Sequence, residues 1–226
     1  MSSMMPYVSP EQMMKDRAEF AQKGISRGRS VVALAYAEGL LFIAENPSTT
    51  LHKVSEIYDR IAFGAVGRYN EFEQMRVAGI RLADVKGYQY ARQDVTGRSL
   101  ANAYASFLGA GFMESSKPLE VELLVAEVLD ESVEMYHVRY DGFISDEDRY
   151  VVIGGNADAV REQLGNRYSD GMSLHEALQV ARGALGGSED RAIEPSQLEV
   201  AGLDRNRGRR KFFRLPATRV TELLAT

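Results

Sequence analysis

Ser30-Val31-Val32-Ala33-Leu34-Ala35-Tyr36-Ala37, then Glu38-Gly39, then Leu40-Leu41-Phe42-Ile43-Ala44 form the stretch on which the fold turns. Two apolar runs flank a pair of turn-forming residues, the pattern of a tight β-hairpin. Apolar residues occupy both alternating faces of each run, so each face needs cover. The sheet built on this hairpin is therefore expected inside a sandwich.

Upstream, Ser9-Pro10-Glu11-Gln12 combines an N-cap serine, a proline at the first helical position and a glutamine that closes a capping box. Met14, Ala18, Ala21 and Ile25 follow at helical spacing, with Gly24 near the stop, which predicts a helix over 9–25. Before it, Met1, Ser2, Ser3, Met4, Met5, Pro6, Tyr7 and Val8 carry no charge and no helical pattern, so a flexible segment 1–8 is expected ahead of one domain spanning 9–226.

Downstream, the strand pattern continues at Ile61–Gly67 and gives way to helical stripes. Phe72, Met75, Gly79 and Leu82 make one; Leu100, Ala103, Tyr104, Phe107 and Leu108 make another after Thr96. Strands are expected over 120–128, 134–140 and Tyr150–Ile153. A second helix pair follows, with stripes Val160, Leu164, Tyr168 and Leu174, Ala177, Leu178, Ala181, Leu185, the latter opened by a Ser173/Glu176 capping box. A strand over 197–203, a basic turn and a short helix around Val220, Leu223 and Leu224 end the pattern, and 186–195 reads as a loose loop. Helices that come in pairs between groups of strands argue against βαβ alternation and for antiparallel sheets between helical layers: an α+β, four-layer αββα sandwich.

With 226 residues, 45% of them hydrophobic, the chain can bury a substantial core. A net charge of -5 disfavours a general binder of nucleic acid or anionic membrane. No apolar run approaches the roughly 20 residues that cross a bilayer, and no secretory signal opens the chain. The absence of cysteine removes thiol nucleophiles and thiolate metal sites and suits a reducing cytoplasm. Gly24-Ile25-Ser26-Arg27-Gly28 matches the nucleophile-elbow string, but its expected order, helix before and strand after, is the reverse of an elbow. His52, His137 and His175 stand apart and lack metal-ligand spacing. No glycine cluster forms a dinucleotide or phosphate loop, so no cofactor and no metal is expected. The strongest competing signal is Arg205, Arg207, Arg209, Arg210, Lys211 and Arg214 around Phe212 and Phe213, which could track a nucleic-acid backbone.

Several separated segments resemble proteasome α subunits, particularly the actinobacterial type. They are Ser9-Pro10-Glu11-Gln12, Glu19-Phe20-Ala21, the hairpin through Glu45-Asn46-Pro47-Ser48, and Lys53-Val54-Ser55-Glu56-Ile57-Tyr58-Asp59-Arg60. Gly67-Arg68-Tyr69-Asn70-Glu71-Phe72, Asp94-Val95-Thr96-Gly97-Arg98, Tyr140-Asp141-Gly142 and 151–155 extend the likeness. Phe20 replaces the tyrosine usual in archaeal and eukaryotic relatives.

The resemblance implies the αββα fold of N-terminal-nucleophile hydrolases and a homo-heptameric α ring on rings of β subunits, which carry the threonine nucleophile. It implies a gate made of residues 1–8, hinged at the Ser9-Pro10 cap. It further implies a pocket for the C-terminal carboxylate of a hexameric ATPase, carried here by Lys53 with Glu19 and Gly67. Substrates would be unfolded polypeptides tagged by a small protein modifier, and neither nucleic acid nor membrane would be a partner. Aligning the hairpins puts Arg29 or Ser30 at the nucleophile's position, behind a helix that excludes the free α-amino base of the β type. Glu45 stands near the catalytic aspartate's place and Lys53 resembles the catalytic lysine. Alternative functions are an active N-terminal-nucleophile hydrolase and a nucleic-acid binder using the 205–214 cluster.

Overall fold

The hairpin forms as expected, β1 (Val31–Tyr36) pairing antiparallel with β2 (Gly39–Glu45) in the register Val31 to Ala44 through Tyr36 to Gly39. The computed structural model describes residues 9–187 and 193–225. The expected gate, 1–8, lies outside the described residues, as does the middle of the expected 186–195 loop.

β2 is flanked by β9 (Leu198–Asp204), and β10 (Phe212–Leu215) and β8 (Tyr150–Ile153) complete a first sheet in the order β10-β9-β2-β1-β8. A second antiparallel sheet runs β3-β4-β5-β6-β7, from Val54–Tyr58, Ile61–Gly67, Val121–Val128, Val133–Val138 and Ile144–Glu147. Helices α2 (Tyr69–Gln89) and α3 (Gly97–Glu114) cover the second sheet; α4 (Ala157–Arg167) and α5 (Leu174–Gly186) cover the first. Helix α6 (Ala217–Ala225) packs at the end of α5. The fold is the αββα sandwich of the N-terminal-nucleophile type.

The period of two in the strands sorts the core into layers. Val31, Ala33, Leu40, Phe42 and Ala44 meet Ala62, Leu124 and Ala126 between the sheets. Val32, Leu34, Leu41 and Ile43 point the other way, into Val160, Leu164, Leu178 and Ala181 of the helical layer. Ile61, Phe63, Leu123 and Val125 do the same against α2 and α3. Side chains such as Phe42 and Leu41 are wholly buried, each worth about 1.5–3 kcal/mol of transfer free energy. That cost falls on any strand that slips by one residue, so the register is firmly set.

Three strands were not expected. Val54–Tyr58, Ile144–Glu147 and Phe212–Leu215 lie at sheet edges, where polar side chains dilute the alternation. The last of these occupies part of the expected basic turn. In the helical stripes, Leu82 and Phe107 are exposed, and Ala83 and Ala101 take inward places instead. The two outward side chains rim a groove between α2 and α3.

Candidate functional site

Helix α1 (Pro10–Ile25) begins at the expected cap, Ser9 Oγ accepting from Gln12 N at 3.2 Å with Pro10 in the first turn, but the expected capping box is not closed because the Gln12 side chain donates to Asp16 at 2.6 Å. The helix lies against β4 and β5, burying Ala21 and Ile25. Ser26 caps its C-terminus and donates to the Lys23 carbonyl at 3.0 Å. The Gly24–Gly28 string is therefore a helix-to-strand connector, with no elbow geometry.

That connector delivers Arg29 to the threshold of β1, where its guanidinium meets Glu45 Oε1 at 2.9 Å. Lys53 Nζ donates to the Arg29 carbonyl at 2.6 Å. Arg29, Glu45 and Lys53 thus sit together. Burial pulls the Lys53 ammonium down to about 8, with Arg29 adding to the effect and Glu199 opposing it. Glu199 fixes the segment around Lys53: it accepts from Lys53 N at 2.9 Å, Val54 N at 3.1 Å, Asn46 Nδ2 at 2.7 Å and Arg214 Nη1 at 2.6 Å. Burial alone would raise the Glu199 carboxyl, yet these donors outweigh it and hold it below its ordinary value.

Gly67 lies at the end of β4 with φ 123°, and a Cβ there would collide with the Glu120 carbonyl oxygen. It lines a cavity of about 490 Å³ with Phe20, Lys23, Gly24, Arg27, Gly28, Arg68 and Glu120. Lys23 and Arg27 stand one turn apart at the end of α1, and neither has an ion-pair partner among the described residues. Arg68 is shared with Glu120 at 3.3 Å. Three cations against one carboxylate make this an anion-receiving surface. Glu19 is exposed on α1, 3.9 Å from Lys15, and neither it nor Lys53 lines the cavity. Within one chain the expected docking triad is therefore spread over neighbouring surfaces. The i, i+4 pair Lys23 and Arg27 is the legible signal that sequence reasoning passed over.

Since Gly67 is held by backbone geometry, Gly67→Ala should destabilise the chain by on the order of 3 kcal/mol. Urea unfolding that differs from wild type by less than about 1 kcal/mol would contradict the collision.

The histidines hold structural positions. His137, on β6, is pulled down to about 4, chiefly by burial. His175 Nδ1 lies 2.6 Å from the Leu223 carbonyl, and His52 Nδ1 lies 3.5 Å from Glu199. Within the basic cluster, Arg210 pairs with Glu56 at 2.6 Å, Arg214 with Glu199, and Arg209 reaches Asp59 at 3.9 Å. Lys211 Nζ donates to the carbonyls of Arg205 and Arg207, and Arg207 to that of Phe212. The cluster is paired largely with its own chain, with Arg207, Arg209 and Arg210 still exposed, which argues against a continuous phosphate-tracking face. Among the described residues, no helix is long and apolar enough to cross a membrane.

A family model described as "Proteasome subunit" matches residues 25–203, which run through strands β1 to β8, helices α2 to α5 and most of β9. The chain belongs to the proteasome subunit family. It is 59% identical to a "Proteasome subunit alpha" of Nocardioides sp., covering 98% of this chain and 89% of that relative. A protein of the same name from Acidothermus cellulolyticus is 58% identical over 96% of both chains. One from Thermobifida fusca is 54% identical over 98% of this chain and 91% of its own. The likeness is thus to proteasome subunits of the alpha type from actinobacteria, and assembly with other proteasome subunits follows. The arginine at the threshold of β1 agrees with a non-catalytic proteasome component.

Proposed function

We propose that this chain is the non-catalytic α subunit of a bacterial proteasome core particle. It builds the outer heptameric rings, closes them with residues 1–8 and receives the C-terminal carboxylates of a hexameric ATPase. Its partners are its own copies, β subunits with a threonine nucleophile, and unfolded polypeptides marked by a small protein modifier, in the cytoplasm. The observation that carries this reading is the near full-length identity to α-type subunits; by the resemblance, Arg29 or its neighbour Ser30 stands where the β type exposes its nucleophile. Arg29 offers no nucleophile, and α1 precedes it, so no free α-amino group serves as base.

The direct test is co-expression with an actinobacterial proteasome β subunit, followed by particle imaging and a fluorogenic peptide assay. The chain alone should cleave nothing and keep its N-terminal sequence by intact mass. With the β subunit it should form capped rings that cleave peptide. Turnover by the chain alone, blocked by a threonine-protease inhibitor, would overturn the reading in favour of an active hydrolase.

Residues 1–8 are uncharged and carry Met1, Met4, Met5 and Tyr7, side chains suited to packing against copies of themselves around a pore axis. Each contact is weak and the plug rests on multiplicity. Deleting 1–8 while keeping the Ser9 cap should raise cleavage of unstructured peptides severalfold, with active-site labelling of the β subunit unchanged. Equal cleavage at equal labelling would remove the gate from this segment.

A further inference from the structure

Between the start of β1 and the N-terminus of α4 lies a second cavity, of about 290 Å³, lined by Arg27, Arg29, Ser30, Glu45, Gly155 and Asn156 among others. Its polar groups are unevenly satisfied. Ser30 is 6% exposed, and its hydroxyl has no hydrogen-bond partner. A buried hydroxyl left unpaired costs about 1–3 kcal/mol, so such groups are rare without a ligand or water to meet them. Arg27 has no carboxylate partner among the described residues. At the 11-residue helix α4, Asn156 occupies the N-cap position but its side chain makes no capping bond, so the first turn leaves backbone N–H groups open toward this end. The one acid in the lining, Glu45, is already paired with Arg29 at 2.9 Å.

An unpaired guanidinium, a buried hydroxyl without an acceptor and an uncapped helix N-terminus converge on one enclosure. All three can donate, and none is matched by an acceptor among the described residues. We infer that this cavity binds a small oxyanion of the phosphate class. Arg27 supplies the charge, the first turn of α4 supplies backbone donors, and Ser30 supplies a buried hydroxyl donor. The site lies beside the cavity around Gly67, which it meets only at Arg27 and Gly28.

The test is calorimetric titration of the full chain with inorganic phosphate at fixed ionic strength. Saturable binding at one site per chain is expected, weakened at least tenfold in Arg27→Ala and about threefold to tenfold in Ser30→Ala. Ser30→Ala removes only an unpaired hydroxyl, so its melting temperature without phosphate should not fall, which keeps the variant interpretable. Absence of saturable binding, or undiminished binding in Arg27→Ala or Ser30→Ala, would overturn the inference. So would binding lost in Lys23→Ala but kept in Ser30→Ala, because Lys23 lines only the neighbouring docking cavity. Failure here leaves the docking role untouched, since that role is read from ATPase-dependent degradation.

Discussion

Particles carrying Lys53→Ala should assemble normally and cleave small peptides at the wild-type rate, yet lose most of their ATPase-dependent degradation of folded, tagged substrate. A charge-assisted hydrogen bond contributes about 1.5–3 kcal/mol, or roughly a tenfold to hundredfold change in affinity per site. Repetition around the ring compounds it. Lys53 is also held in an unusual state, its ammonium pulled down to about 8 by burial beside Arg29 and Glu199. A docking carboxylate favours the charged form. Below pH 8 that form prevails and docking is at full strength; as pH rises through about 8 the free pocket loses its proton and docking weakens, by up to tenfold per unit. Activator-stimulated degradation should therefore fall between pH 7.5 and 9 more steeply than small-peptide cleavage by the same particle. A normal rate of tagged-substrate degradation in the mutant, or parallel pH profiles for both activities, would exclude Lys53 from docking.

The second large effect is expected on the outer face of α1. The expected stripe of Met14, Ala18, Ala21 and Ile25 is mostly spent on the chain's own sandwich, where Ala21 and Ile25 belong to the core between the sheets. What the helix leaves in solvent is Met13 and Phe20, each 46% exposed, with Lys117 Nζ 5.4 Å from the Phe20 ring centroid. Covering a residue of this size is worth about 1.5–3 kcal/mol, and a ring repeats the contact at every junction. Met13→Glu with Phe20→Glu should give chains that melt as wild type but sediment as monomers or incomplete rings when β subunits are present. The surface variant is a sharper probe than deleting 1–24, which also strips Ala21 from the core. Rings of normal size from the double variant would show that another face drives assembly.

How far the sequence announced this molecule varies with depth. The hairpin from Ser30 to Ala44 was readable because both faces are apolar, and that demand for cover on two sides forces layers. Ser173 was readable as a cap because the N–H from which its hydroxyl accepts, that of Glu176, lies three residues along the chain. The edge strands were not, since Val54-Ser55-Glu56 and Phe212-Phe213-Arg214 gain their β structure from a partner strand, which no local pattern encodes. Lys53 and Gly67 entered through family resemblance; what the structure adds is that Lys53 Nζ donates to the Arg29 carbonyl and that Gly67 has a positive φ against a carbonyl. The anion-receiving cavity stayed hidden because its cations come from α1 and from the start of α2, which meet only in three dimensions.

Paired arginines of the 205–214 segment join the margins of the two sheets. Arg210 crosses from the β9–β10 connection to Glu56 on β3, Arg214 Nη2 caps the Val54 carbonyl at 2.6 Å, and Lys211 N donates to the Asp59 carbonyl at 2.7 Å. β3 and β10 are the outermost strands on that side, the places where unpaired backbone groups invite another chain to add a strand. Here those groups are partly consumed within the subunit, and bulky cations stand over the remainder. These contacts leave less of either edge open to a strand from another chain.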